Sequence, residues 1–168
     1  YFFNEKIDTL GLRGFKSGLT KDVKNEKEKD KIFCPSGCAE LFRRDALESL
    51  KPREYFDNDF FCYADDFDIG FRIILNGWKF AYAPKAVAYH MHGTTMSKNM
   101  DKSIYLGDRN RIWTIAKDFP TGVLIKNLHW ILLLQLATIV KYALKGKLFL
   151  ILKSKIDAIA GLGKMLRK

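Results

Sequence analysis

The stretch that most narrows what this chain can fold into runs from Leu128 to Val140. It is thirteen consecutive residues without a formal charge, bracketed by Lys126 and Lys141. Crossing a bilayer takes roughly 20 apolar residues, and this run, with Gln135 inside it, is shorter. Beyond it, Leu148, Leu152, Ile156, Ile159, Leu162 and Met165 recur at near-helical spacing among basic residues. From Lys141 onward eight cations face the single acid Asp157, so this tail carries +7 of the chain's net +10. Apolar spacing with a basic polar side is the pattern of helices that lie in a membrane interface, and the charge suits an anionic lipid surface. A helical hairpin packed on the rest of the domain is the plainer alternative. Residues 1–140 are nearly neutral, so the basic pI does not describe a nucleic-acid face. After Tyr142 the tail has Phe149 as its one aromatic, too few rings to stack bases, and no nucleic-acid partner is expected.

At 168 residues and 48% hydrophobic content, the chain is long and apolar enough for about one cored domain. Cys34, Cys38 and Cys62 are too few for a disulfide scaffold and read as reduced thiols on a cytosolic face. Cys34 and Cys38 have no second cysteine pair downstream, so zinc is not expected. The sequence opens at Tyr1 without the basic and apolar regions of a signal peptide, and an upstream segment is expected. Residues 1–32 are polar and irregular. Their charge-dense end, Lys21–Lys31, reads as a solvated loop or short helix, with a flap over a site as the alternative.

From Ile32 the pattern tightens. Pro35, Ser36 and Gly37 make a turn, Arg43–Leu47 a short helix, and Phe56–Tyr63 an aromatic loop entering the core. Asp65, Asp66 and Asp68 precede Ile69, Phe71, Ile73 and Ile74, a helix closed by Asn76-Gly77. Trp78–Ala83 alternates as a strand stopped by Pro84, and Ala86–Met91 reads as a second strand. A helix over Tyr105–Lys117 is broken by Pro120 and Gly122. The middle of the chain is therefore α/β.

Paired acids at a helix start can serve as a general base, because the helix dipole keeps a carboxylate there ionised. N-capping is the alternative use of the same residues. Asp68 and Arg72, four apart, form an intrahelical ion pair. Asp66-Phe67-Asp68 spells Asp-x-Asp, a metal-holding pattern of sugar transferases, but on a helix its two side chains splay apart. Asp57-Asn58-Asp59 lacks the later Gly and Glu of a calcium loop. His90 and His92 share one face of the second expected strand, either as a metal pair or as core histidines.

One ordered set of residues joins these pieces. It comprises Gly37-Cys38-Ala39-Glu40-Leu41-Phe42-Arg43-Arg44, Phe56-Asp57, and Phe60 to Asp68 (FFCYADDFD). It continues through Arg72, Gly77-Trp78-Lys79, Tyr82-Ala83-Pro84, Ala86 and His90 to Tyr105 and Arg109-Asn110-Arg111. Over roughly residues 33–112 this set resembles the C-terminal half of a family 2 glycosyltransferase of the rhamnosyltransferase-like type. The resemblance implies a GT-A, Rossmann-like α/β fold whose nucleotide-binding half and Asp-x-Asp lie upstream. It implies that residues 1–120 are the acceptor-side half of the catalytic domain, inactive alone, and that 121–168 are basic amphipathic, membrane-associated helices. Asp66 matches the base of the family's acidic pair, and Asp65 its supporting partner, where the family has Glu. Gly37 matches a small residue beside the donor sugar, His90 a metal ligand for a divalent cation (Mg or Mn), and Trp78 and Arg109 are expected to line the site. The implied reaction is inverting transfer from a nucleotide-sugar donor to a hydroxyl of a lipid-linked or cell-envelope polysaccharide acceptor. It would take place on the cytoplasmic face of the plasma membrane, with the enzyme held peripherally. A non-enzymatic membrane-surface binding module is the alternative. The enzymatic reading requires the Asp66 carboxylate to lie in a cleft where it can take a proton.

Overall fold

A computed structural model describes residues 6–50, 54–90 and 99–168. The described residues fall into two compact units, one drawn from 6–14, 20–50, 54–59 and 65–90, the other from 15–19, 60–64 and 99–168.

In the first unit, β1 (Leu12–Gly14) pairs antiparallel with β2 (Thr20–Asp22), with Arg13 opposite Lys21. This small sheet was not expected from the polar start of the chain. The charged run then forms a 3-10 helix, Glu26–Lys31, with no buried residue, capped by the Asn25 side chain on the Lys27 amide. It is the solvated segment its mixed charges imply. The backbone of Phe33 and Cys34 bonds to Leu12, which ties the following turn to the sheet. Helix α1 (Arg44–Glu48) falls where the short helix was expected.

Helix α2 (Asp65–Leu75) opens on three acids and buries Phe67, Ile69 and Ile73. Ile69 and Ile73 pack with Leu50, flanked by Phe42, Leu47, Trp78 and Phe80. Phe33, Phe67 and Phe71 form a second cluster, with ring centroids 5.1 to 5.7 Å apart. Gly70 permits the closest approach. A Cβ there would stand 2.5 Å from Cys34 Cβ, so helix and turn meet only because the side chain is missing. Gly77, at φ +85°, closes the helix in the left-handed region as Asn76-Gly77 suggests.

The two expected strands over 78–83 and 86–91 are not formed. Residues 78–90 carry no strand, and Met91, like His92, lies outside the described residues. Alternation describes a half-buried surface, but a strand also requires a neighbouring ladder. Here Ala86 donates to the Ala83 carbonyl and turns the chain after Pro84.

The second unit is helical: α3 (Met100–Asp118), α4 (Thr121–Ala143) and α5 (Leu148–Met165). Asn99 caps α3 through the Lys102 amide. Pro120 separates α3 from α4, but Gly122 lies inside α4, and Lys126 does not interrupt it. The helix is therefore 23 residues long, not thirteen, and it is long and apolar enough by length and composition to cross a membrane. The uncharged run undercounts it because a single lysine near a helix end breaks neither backbone nor apolar face. Phe60, Trp113, Ala158 and Met165 form the apolar core, with the Trp113 indole donating to the Ala158 carbonyl at 2.9 Å. A buried polar group lies beside it. Lys155 Nζ reaches both Asp108 oxygens (3.1 and 3.3 Å) and Gln135 Oε1 (2.7 Å), and Arg111 also pairs with Asp108.

The aromatic loop enters this unit as foreseen. Phe60 is fully buried, and the next residues turn sharply, with Phe61, Tyr63 and Ala64 at φ +65°, +71° and +61°. Each such residue costs about 1 kcal/mol when it is not glycine. The fully buried Asn110 holds the turn, its Nδ2 lying 2.9, 2.8 and 2.8 Å from the carbonyls of Phe60, Cys62 and Tyr63.

Candidate active site

The turn Cys34–Cys38 and the start of α2 bring Gly37 to Asp66. The β1 bridge to Cys34 and the Gly70 contact fix the turn against the helix, and the Gly37 amide then donates to Asp66 Oδ2 at 3.1 Å. The Phe67 amide donates to Asp66 Oδ1 at 2.8 Å. A Cβ on Gly37 would meet Asp66 Cβ at 3.4 Å, ordinary van der Waals contact, so the turn lies directly against the acid without the approach itself requiring glycine.

Asp66 is half-buried. Burial pushes its carboxyl up from the ordinary aspartate value, while the Gly37 and Phe67 amides pull it down. Each carboxylate oxygen holds one amide, and a carboxylate offers about four lone-pair sites. The group is thus fixed in orientation, made more basic by desolvation, and still able to accept a proton. Asp65 begins the helix beside it.

Glu40 belongs to this acidic group, and it is a residue that sequence reasoning does not single out for chemistry. Its Oε2 is buried with no hydrogen-bond partner among the described residues. Burial, then the charges of Asp66 and Asp65, push its carboxyl up to about 7. Only tertiary packing makes Glu40 special, so spacing carries no signal for it. The buried Cys34 thiol is pushed well up as well, chiefly by burial and then by Asp66 and Glu40.

Asp68 is not part of this group. It is fully buried and bonded to Arg72 (Oδ2 to Nε, 3.0 Å), the ion pair its spacing implies. Arg72 also donates to the Glu54 and Tyr55 carbonyls, at 2.9 and 2.5 Å. Asp57 is buried, and its Oδ1 accepts from the Asp59 amide, an ordinary local turn.

The other expected residues have specific partners. Trp78 lies on the Leu50–Ile69–Ile73 cluster, donates to Ser49 Oγ at 3.1 Å, and is covered by Arg43. Arg109, in the second unit, stacks on Trp113 at 4.1 Å and donates to Asn110 Oδ1 at 2.9 Å, so its guanidinium braces the strained turn. His90 Nδ1 lies 2.8 Å from Asp8 Oδ2, a partner 82 residues away. A carboxylate on one ring nitrogen is how a histidine is oriented to coordinate through the other. Yet among the described residues no group of three or more His, Cys, Asp or Glu could hold a metal ion. An imidazole whose other nitrogen is held by a carboxylate supplies one ligand, fewer than a divalent cation's set.

A family model described as "Glycosyltransferase like family 2" matches residues 19–105, half of the chain. The match takes in Gly37, Glu40, Asp65, Asp66, Trp78 and His90. No curated protein and no solved structure matches the chain.

Proposed function

We propose, from the premise that the chain belongs to glycosyltransferase-like family 2, that it is the acceptor-side part of an inverting, rhamnosyl- or hexosyl-type transferase with Asp66 as its base. Membership brings sugar transfer in general, with a nucleotide-sugar donor and an acceptor. The finer reading rests on one observation: a carboxylate made more basic by burial and held in place by two backbone amides at the start of α2. In the reaction, the acceptor hydroxyl oxygen forms a bond to the anomeric carbon as its proton passes to Asp66. The anomeric carbon–oxygen bond to the diphosphate breaks on the opposite side, and the nucleoside diphosphate leaves with that electron pair. Asp65 keeps the local field negative, and Glu40 adds a third carboxyl to the group. A divalent cation, Mg²⁺ or Mn²⁺, and a GT-A nucleotide-binding half upstream of these residues belong to the proposal, with His90 oriented by Asp8 as the cation ligand this chain would supply.

The acceptor side is a lipid-linked or cell-envelope glycan, reached at the cytoplasmic face of the membrane. Support comes from the tail, residues 121–168, which leaves Leu132, Leu133, Leu136, Ile156 and Ile159 exposed alongside its lysines. Apolar surface on that scale marks an interaction site, and a basic border suits anionic lipid.

Asp66→Asn in the intact transferase tests the base. Transfer to the acceptor should fall about 10²- to 10⁴-fold with the melting temperature and vesicle binding retained. Unchanged transfer would leave Asp66 a helix cap and make the membrane-surface module the better reading.

A further inference from the structure

We propose that the turn Phe61–Ala64 is a carbohydrate platform, on which a pyranose lays its C–H face against the Phe61 ring and its hydroxyls on Tyr63, Ser103 and Lys102. The proposal rests on the transferase reading above, from which it takes the occupant, the acceptor glycan.

Phe60 and Phe61 are adjacent, yet the first is fully buried and the second 70% exposed. The backbone enforces that split. Left-handed conformations at Phe61 and at the adjacent pair Tyr63 and Ala64 turn the second ring outward, and Asn110 fixes the turn through three carbonyls. Strain of this kind persists only where surrounding structure over-determines it, and it concentrates at ligand sites. The outcome is an aromatic ring displayed outward on a backbone already held in place, which lowers the ordering cost of binding.

The surroundings of the ring are those of a sugar site. Tyr63 Oη donates to Ser103 Oγ at 2.7 Å, and Ser103 Oγ donates to the Asn99 carbonyl. Both hydroxyl protons are thereby committed, leaving lone pairs to accept from sugar hydroxyls. Lys102 Nζ lies over one face of the Phe61 ring, 4.4 Å from its centroid, and supplies the donor, so the sugar is proposed to stack on the opposite face. An apolar face with a few placed polar groups is the usual composition of a small-molecule site, and a pyranose has the matching two-sided character. In the chain, Ala64 is followed directly by Asp65 and Asp66.

Saturation-transfer NMR on the full chain tests the platform, with methyl α-L-rhamnopyranoside and methyl β-D-glucopyranoside as probes at millimolar concentration. Irradiating the aromatic protons should saturate the C–H protons of at least one sugar. Phe61→Ala should weaken that binding about fivefold or more, the scale of a lost aromatic contact, whereas Phe61→Trp should keep it. Because the ring is exposed, both variants should melt like the wild type, and Phe61→Trp still decides the matter if Phe61→Ala does not. Binding that survives in Phe61→Ala, is lost in Phe61→Trp, or is missing in the wild type for both sugars overturns the proposal. So does a concentration-dependent dimer that Phe61→Ala abolishes, since the ring would then be covered by a second copy. Asp66→Asn should leave the sugar signal intact, so a failed transferase reading and a failed platform give different results.

Discussion

Helix α2 turns Phe67, Ile69 and Ile73 inward and gathers its acids at its first turn, whereas α4 and α5 leave leucines and isoleucines outward and bring the half-buried Gln135 and Lys155 to the buried Asp108. In the first arrangement a desolvated carboxylate is available for proton transfer. In the second, charge is neutralised internally and what faces outward is apolar surface edged with lysine, the surface to which the proposed function gives the anchoring role. On the function proposed above, the same helical periodicity serves chemistry or attachment depending on which stripe is sent inside.

The sharpest way to break the contrast is through its two buried ionic groups. Arg72→Leu removes the buried ion pair with Asp68 and the donors to the Glu54 and Tyr55 carbonyls, and should cost about 3–5 kcal/mol in urea unfolding. Lys155→Leu leaves Asp108 paired with Arg111 and should cost only about 1–2 kcal/mol. Equal losses would show that the two groups are not built differently. On the outer faces, Leu133→Gln with Leu136→Gln should leave the melt unchanged while weakening binding to phosphatidylserine vesicles roughly 100-fold, about 3 kcal/mol of apolar transfer. Unaltered vesicle binding would remove the anchoring half of the comparison.

The smallest effect concerns Glu40. Its folded-state proton affinity is raised, so it favours the fold when protonated, and that contribution fades as pH rises between about 4.5 and about 7. Glu40→Gln, neutral throughout, should match the wild type near pH 4.5 and melt about 2–4 °C higher at pH 8. This corresponds to about 1 kcal/mol once solvent screening is allowed for. Parallel melting curves across that range would return Glu40 to an ordinary surface acid.

Much of this was legible in the residues. The acids before Ile69 and the Asn76-Gly77 stop define α2 because capping and closure are local chemistry, and the Asp68–Arg72 pair follows from a spacing of four. The basic apolar tail likewise announces two helices. What was hidden depends on distant partners. Three-residue strands such as β1 and β2 carry too little pattern to register, and Trp78–Ala83 carries the pattern without the neighbour. His90 finds Asp8, Arg109 braces Asn110, and Glu40 acquires its character, only once segments far apart in sequence are packed together.

Cys34 has a practical consequence. Its sulfur is sealed by Gly70 and held as a thiol that resists ionisation, while Cys38 is exposed and Cys62 partly so. Alkylating reagents attack thiolates, so two sites should modify promptly and the third should wait for the strand–turn–helix seam to part. The delay at Cys34 is thus a clock, supplied by the native chain, for how often the ground beneath Asp66 gives way.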